Sequence, residues 1–207
     1  MHQHTKNIRL AGTSLEEASK AMIMVHGRGA TSEGILSLSD HLKVKGFALL
    51  APQANQRTWY PFSFMAPKED NEPGLSTGLE VLKEIVEDVK AAGIDAENIY
   101  FLGFSQGACL MSEFVARNAE RFGGVFILSG GLIGKNLDTS NYSGDFEGTP
   151  IFLGCSDVDP HIPLARVEES VEIFKEMGAK MTVKLYPNGP HTIYEDEIKE
   201  VNGILKQ

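Results

Sequence analysis

Six short apolar runs punctuate the chain: AMIMVH from Ala21, FALLAP from Phe47, NIYFLGF from Asn98, GVFILSG from Gly124, TPIFLG from Thr149 and MTVKLYP from Met181. They are apolar on both faces rather than alternating, the pattern of strands in a parallel sheet covered on both sides. Parallel strands need long crossovers, and the intervening stretches supply them at helical spacing. Leu79, Leu82, Val86 and Val89 form one stripe, with Thr77 and Glu80 spaced as a capping box and Gly93 where a helix should stop. Ala108, Met111, Val115, Ala119 and Phe122 form the next. Pro163 opens a third ahead of Leu164, Val167, Val171 and Phe174. Thr192 and Glu195 offer a second capping box before Tyr194, Ile198, Val201 and Leu205. Repeats, linkers and low-complexity segments are absent. The expectation is one doubly wound α/β domain over residues 1–207, with its ligand site beyond the C-terminal strand ends.

Composition narrows the function classes. The chain has 207 residues, 28 acidic against 19 basic, and a formal net charge of −9. Without a dense Lys/Arg cluster, nucleic acid and anionic membrane surfaces are unsuited partners. No run of about 18 apolar residues is present, so no membrane insertion is expected. The start, MHQHTKNIRL, lacks the apolar core of a secretion signal, and His2 and His4 read as part of a frayed polar terminus. Two cysteines, Cys109 and Cys155, stand far apart in no metal or disulfide spacing, which suits a reducing cytoplasm. A homodimer is compatible with the sequence but not required by it.

The most specific signal is IYFLGFSQGACLMSEF, which reads as strand, sharp turn and helix around Gly103-Phe104-Ser105-Gln106-Gly107. This is a G-x-S-x-G nucleophile elbow in the context it needs. Ser105 must take a strained conformation to project its hydroxyl above the sheet, and the flanking glycines remove the collisions that side chains would cause. A serine hydroxyl needs a base to take its proton, and the elbow predicts the chain order Ser, Asp or Glu, His. His26 and His41 precede Ser105. His191, in the turn NGPHTIYEDE after the last predicted strand, fits the base; His161 reads as a pocket-rim or solvent residue. The acid falls in GCSDVDPHIP after the preceding strand, where Asp157 and Asp159 compete. The same stretch gathers Cys155, both aspartates and His161, so a metal site is the minor alternative there.

Acyl transfer also needs two N–H donors for the developing oxyanion. The amide of Gln106, following the nucleophile, supplies one. VHGRGAT, following the first strong strand, supplies the other through the amide of Arg28 between Gly27 and Gly29. The Arg28 side chain is either solvated or available to an acidic substrate group. Trp59, Tyr60, Phe62 and Phe64 cluster after a strand end, and Trp59 and Tyr60 are expected to wall the substrate pocket.

Taken together, HGRGAT, APQA, GFSQGA, DPHIP and YPNGPHT resemble the phospholipase/carboxylesterase branch of the α/β hydrolases, which includes the acyl-protein thioesterases. The resemblance spans about Leu15 to Leu205. It implies an α/β-hydrolase fold without a large lid, Ser105 as nucleophile, His191 as base, an acid-loop aspartate as orienter, and no cofactor. The segment from Gly130 to Gly148 is then at most a short flap. The family's G-x-x-D spacing, counted from the strand-ending Gly154, selects Asp157. Its D-P-x-V/I-P spacing, counted back from Pro163, selects Asp159. The strand end is the firmer anchor, so Asp157 is preferred, with Asp159 as a turn or capping residue. Pro61 stands where acyl-protein thioesterases usually carry an acid after Trp-aromatic, which weakens a claim to lipidated-protein substrates. The implied activity is hydrolysis of small or acyl esters, with lactones, aromatic-ring degradation products or thioesters as alternatives and a non-catalytic receptor as a distant one.

Overall fold

A computed structural model describes residues 3–205. The predicted runs become β2 (Lys20–Val25), β3 (Phe47–Pro52), β4 (Ile99–Phe104), β5 (Gly124–Leu128), β6 (Pro150–Ser156) and β7 (Lys180–Tyr186). A further strand, β1 (Ile8–Gly12), escaped the sequence reading. The sheet order is β1-β3-β2-β4-β5-β6-β7, parallel throughout except for β1, which pairs antiparallel with β3 from Ile8 opposite Pro52 to Gly12 opposite Ala48.

Side-chain alternation divides the core between the two faces. Along β2, Ala21, Ile23 and Val25 join a cluster with α2 (Gly74–Ala91), α3 (Gln106–Arg117) and α4 (Leu164–Glu176). Met22 and Met24 point the other way, toward α1 (Ser32–Leu36) and α5 (Glu195–Ile204), which contributes Val201. Each fully buried aliphatic or aromatic side chain contributes roughly 1.5–3 kcal/mol. β7 is the exception to the two-sided pattern. It lies at the sheet edge, and Val183 and Leu185 remain exposed.

Helix ends follow the predicted logic with shifted positions. α2 begins at Gly74, so Thr77 lies inside it and its hydroxyl donates to the Pro73 carbonyl (2.7 Å) instead of capping. The predicted stop holds: Gly93, at φ +92°, donates to Lys90 O while Ile94 N–H donates to Val89 O, a Schellman closure. At α5 the cap falls two residues past Thr192, where Tyr194 N–H donates to Glu197 Oε2 (2.8 Å).

The N-terminal stretch is tied down rather than frayed. His4 is buried, with Nε2 2.8 Å from the Trp59 carbonyl and Nδ1 accepting from Asn55 N–H at 3.1 Å. His2 lies outside the described residues.

Candidate active site

β4 ends at Phe104 and α3 begins at Gln106, leaving Ser105 alone at the turn with φ 55° and ψ −122°. Such a conformation costs about 1–3 kcal/mol for a non-glycine residue. Two backbone hydrogen bonds hold it: Ser105 N–H donates to Leu128 O, and Cys109 N–H donates to Ser105 O, both at 3.0 Å. The elbow's glycines are required by contact. A Cβ on Gly103 would stand 2.8 Å from Ala108 Cα, and one on Gly107 would collide with the carbonyl oxygens of Val25 and His26.

The turn after β7 carries His191 and is tied down on each side. Ser156 Oγ donates to Gly189 O (2.7 Å), Tyr194 Oη donates to Pro190 O (2.6 Å), and Asn188 N–H donates to Asp157 Oδ1 (2.8 Å). The imidazole places Nε2 2.8 Å from Ser105 Oγ and Nδ1 2.6 Å from Asp159 Oδ2. Its ring packs on Phe104 and on His161, the latter edge-on with centroids 4.9 Å apart.

Asp159, not Asp157, therefore meets His191, which corrects the preferred assignment. The cause lies in β6. It continues two residues past Gly154, to Ser156 opposite Tyr186. The count from the strand end thus began two residues early; the same spacing taken from Ser156 reaches Asp159. Asp157 instead joins the acid loop to the histidine turn through Asn188.

The Asp159 carboxyl is buried, which disfavours its charge, but the hydrogen bonds it accepts prevail. His191 and the N–H groups of His161 (2.8 Å) and Ile162 (3.0 Å) hold it below the ordinary carboxylate range. An ionised carboxylate only accepts, so Nδ1 carries the imidazole proton and Nε2 presents its lone pair to the Ser105 hydroxyl.

The two residues whose amides are expected to receive the oxyanion, Arg28 and Gln106, both stand beside the elbow. Gln106 is the first residue of α3, where N–H groups have no acceptor within the helix. Gly27 lies so close to the elbow that a Cβ would stand 3.3 Å from Ser105 Cβ. Arg28 and Gln106 both line the cavity that opens over Ser105. His26 supports this loop from below, with Nδ1 2.8 Å from the Gly27 carbonyl and Nε2 accepting from Ala54 N–H (3.1 Å). Burial lowers its affinity for a second proton.

The cavity encloses about 570 Å³. Tyr60 borders it although almost wholly buried, and Phe62 and Phe64 form its apolar wall. Trp59 does not line it. At 0% exposure it is a core residue, its Nε1–H donating to His26 O (2.9 Å) and its ring packed between His4 and His26. The Gln106 side chain went unrecognised in the sequence. Its Oε1 accepts from Trp59 N–H (2.9 Å) and its Nε2 donates to Tyr60 O (2.8 Å), so the residue following Ser105 also fixes the aromatic loop. A Gln inside the elbow motif, before a loop rich in aromatics, is the only sequence signal for that role.

The segment expected as a flap contributes nothing to the cavity. Arg166 Nη1 donates to Leu132 O and Gly134 O, and Glu113 accepts from Ile133 N–H, holding it against α3 and α4. Cys109 reaches the cavity floor, but burial pushes its thiol up to about 12, so it is no nucleophile at neutral pH. Among the described residues, no set of three or more His, Cys, Asp or Glu side chains is placed to hold a metal.

Comparison with known proteins agrees with this architecture. The Phospholipase/Carboxylesterase family model matches residues 12–207. A crystal structure of a phospholipase/carboxylesterase from Dyadobacter fermentans superposes with a TM-score of 0.98 at 48% identity, covering 99% of both chains. Acyl-protein thioesterase 1 of Debaryomyces hansenii is 28% identical over the full length of both proteins. A probable carboxylesterase SOBER1-like protein of Arabidopsis thaliana is 26% identical over 71% of this chain, which spans only 55% of that relative's length. With its seven-stranded, mostly parallel sheet and its serine elbow, the chain belongs to the phospholipase/carboxylesterase family of α/β hydrolases.

Proposed function

We propose that the protein is a serine carboxylesterase acting through Ser105, His191 and Asp159 and a covalent acyl-enzyme. The observation that carries this reading is the unbroken pair of hydrogen bonds, 2.8 Å from Ser105 Oγ to His191 Nε2 and 2.6 Å from Nδ1 to Asp159 Oδ2, at the edge of an open apolar cavity. Ser105 attacks the ester carbonyl as His191 takes its proton, and Asp159 stabilises the imidazolium. The amides of Arg28 and Gln106 receive the oxyanion; a donor of this kind is worth about 2.7–4 kcal/mol to the transition state. His191 then protonates the departing alcohol, and water activated by the same imidazole releases the acid. Every step uses groups of the chain and water. Two free, buried cysteines suit a reducing compartment, and we place the protein in the cytoplasm on that ground.

A fluorophosphonate should label the wild type on Ser105 and leave Ser105→Ala unlabelled. Equal labelling of both would refute the assignment. Rates on esters of increasing acyl length, beside lactones and thioesters, then rank the substrate classes.

A further inference from the structure

The cavity over Ser105 differs in charge from the chain that builds it. The chain carries a formal net charge of −9. Yet among the described residues lining the cavity there is no aspartate or glutamate, while Arg28, His161 and His191 are present. His191 is engaged with Ser105 and Asp159. Arg28 has a different kind of surrounding. Its Nη1 donates to Thr58 Oγ1 (3.3 Å) and Pro61 O (3.1 Å), and its Nη2 donates to Phe62 O (2.7 Å). All three acceptors are neutral, and no carboxylate pairs with this guanidinium among the described residues. Five N–H groups are available on the side chain, so two remain for a ligand.

Position makes this cation relevant to chemistry. Pro61 and Phe62, which hold it, are themselves cavity wall. Arg28 follows β2, the strand next to β4 and its Ser105, whereas His191 follows β7 at the far edge of the sheet. Three hydrogen bonds also order the guanidinium before any ligand arrives, which lowers the entropic cost of using it. A preset guanidinium that has no carboxylate partner, solvent-exposed over the Tyr60 ring on the wall of this cavity, matches a carboxylate better than it matches an alkyl chain.

We infer that the preferred substrate is an ester whose acyl half carries a carboxylate, a half-ester of a short dicarboxylic acid, with the anion held by the Arg28 side chain. The inference rests on the serine-esterase reading above. The anion belongs to the acyl half because His191, which protonates the leaving alcohol, lies on the side of Ser105 away from β2. The overall reaction adds water across the acyl C–O bond: the serine ester forms as the alcohol leaves with the proton from His191, and water then releases the dicarboxylic acid.

The test compares monoethyl glutarate with ethyl pentanoate, two esters of equal acyl length, by proton release from the full-length protein. Wild type should favour the half-ester in kcat/KM by at least about tenfold, the scale of one charge-assisted contact. That ratio should fall toward one in Arg28→Gln, be partly kept in Arg28→Lys, and shrink as salt rises. Equal or reversed preference in wild type overturns the inference, as does an unchanged ratio in Arg28→Gln. The wild-type comparison decides the matter even if a variant fails to fold. If Ser105 is labelled by the fluorophosphonate but the half-ester is not cleaved, the carboxylate reading falls and the esterase reading stands. If Ser105 is not labelled, the esterase reading itself falls.

Discussion

Replacing Asp159 with Asn changes one atom, and the surrounding hydrogen bonds dictate which way the new amide must face. Asp159 Oδ1 accepts from the N–H groups of His161 and Ile162, while Oδ2 meets His191 Nδ1 at 2.6 Å. An asparagine must keep its oxygen toward the two backbone donors, because an NH₂ there would oppose both. Its NH₂ then faces Nδ1 and donates to it. The imidazole is driven to the other tautomer, with the proton on Nε2 pointing at Ser105 Oγ, and the serine loses its base. The analogous change in a serine-protease triad lowers kcat about 10⁴-fold, or about 5 kcal/mol of transition-state stabilisation. Asp157 offers the contrast. It accepts one N–H, from Asn188, and asparagine can still accept it. Asp157→Asn should therefore stay within about tenfold of wild type, one hydrogen bond being worth about 0.5–1.5 kcal/mol. Steady-state hydrolysis of a short-chain p-nitrophenyl ester measures both variants, with circular dichroism to confirm folding. Equal losses in the two, or a crippled Asp157→Asn beside an active Asp159→Asn, would refute the reasoning.

Two further outcomes concern stability. Glu197 is buried with Oε1 unpartnered against Gly154, and burial raises its pKa from 4.5 to about 7. Between those values the folded state holds the proton more tightly than the unfolded chain, so stability is lost as pH rises through the window, by about 3 kcal/mol in all. Glu197→Gln removes that loss, so its stability relative to wild type should rise by up to this amount from pH 4 to pH 8 in urea titrations; a pH-independent difference would contradict it. Gly107→Ala sets a Cβ against the backbone carbonyls of Val25 and His26, which cannot rotate away. It should cost about 1–3 kcal/mol or more, seen as a Tm lowered by several degrees, and an unchanged Tm would show that the elbow has room to spare.

Much of the architecture was legible because its signals are local. A strand buried on both faces has no room for polar residues, and a strained serine between strand and helix leaves its mark in the glycines two residues to either side. β1 gave no such signal. Ile8–Gly12 is a short edge strand of mixed polarity, paired on one side only, and its existence depends on β3 lying beside it. Trp59 misled for a related reason. Its position after a strand end suits a substrate wall, but whether an aromatic side chain faces the cavity or the core depends on partners remote in sequence. His4, His26 and Gln106 turn it inward, and they lie 55, 33 and 47 residues away.

The acid loop shows where counting along a sequence loses its meaning. Cys155 and Ser156 carry a thiol and a hydroxyl, and beside Asp157 they resemble the start of a polar loop. Both are nevertheless strand residues, because β7 runs on to Tyr186 and supplies partners for them. Once Ser156 is in the sheet, its hydroxyl is aimed at Gly189 and Asp157 at Asn188, and the next carboxylate able to reach His191 is Asp159. Cys155 and Ser156, the two residues by which β6 outruns Gly154, are therefore taken up by the strand, and the three-residue step from the true strand end reaches Asp159. What selects the carboxylate is the length of the neighbouring edge strand, a property of residues 180–186 that no count within residues 154–163 contains.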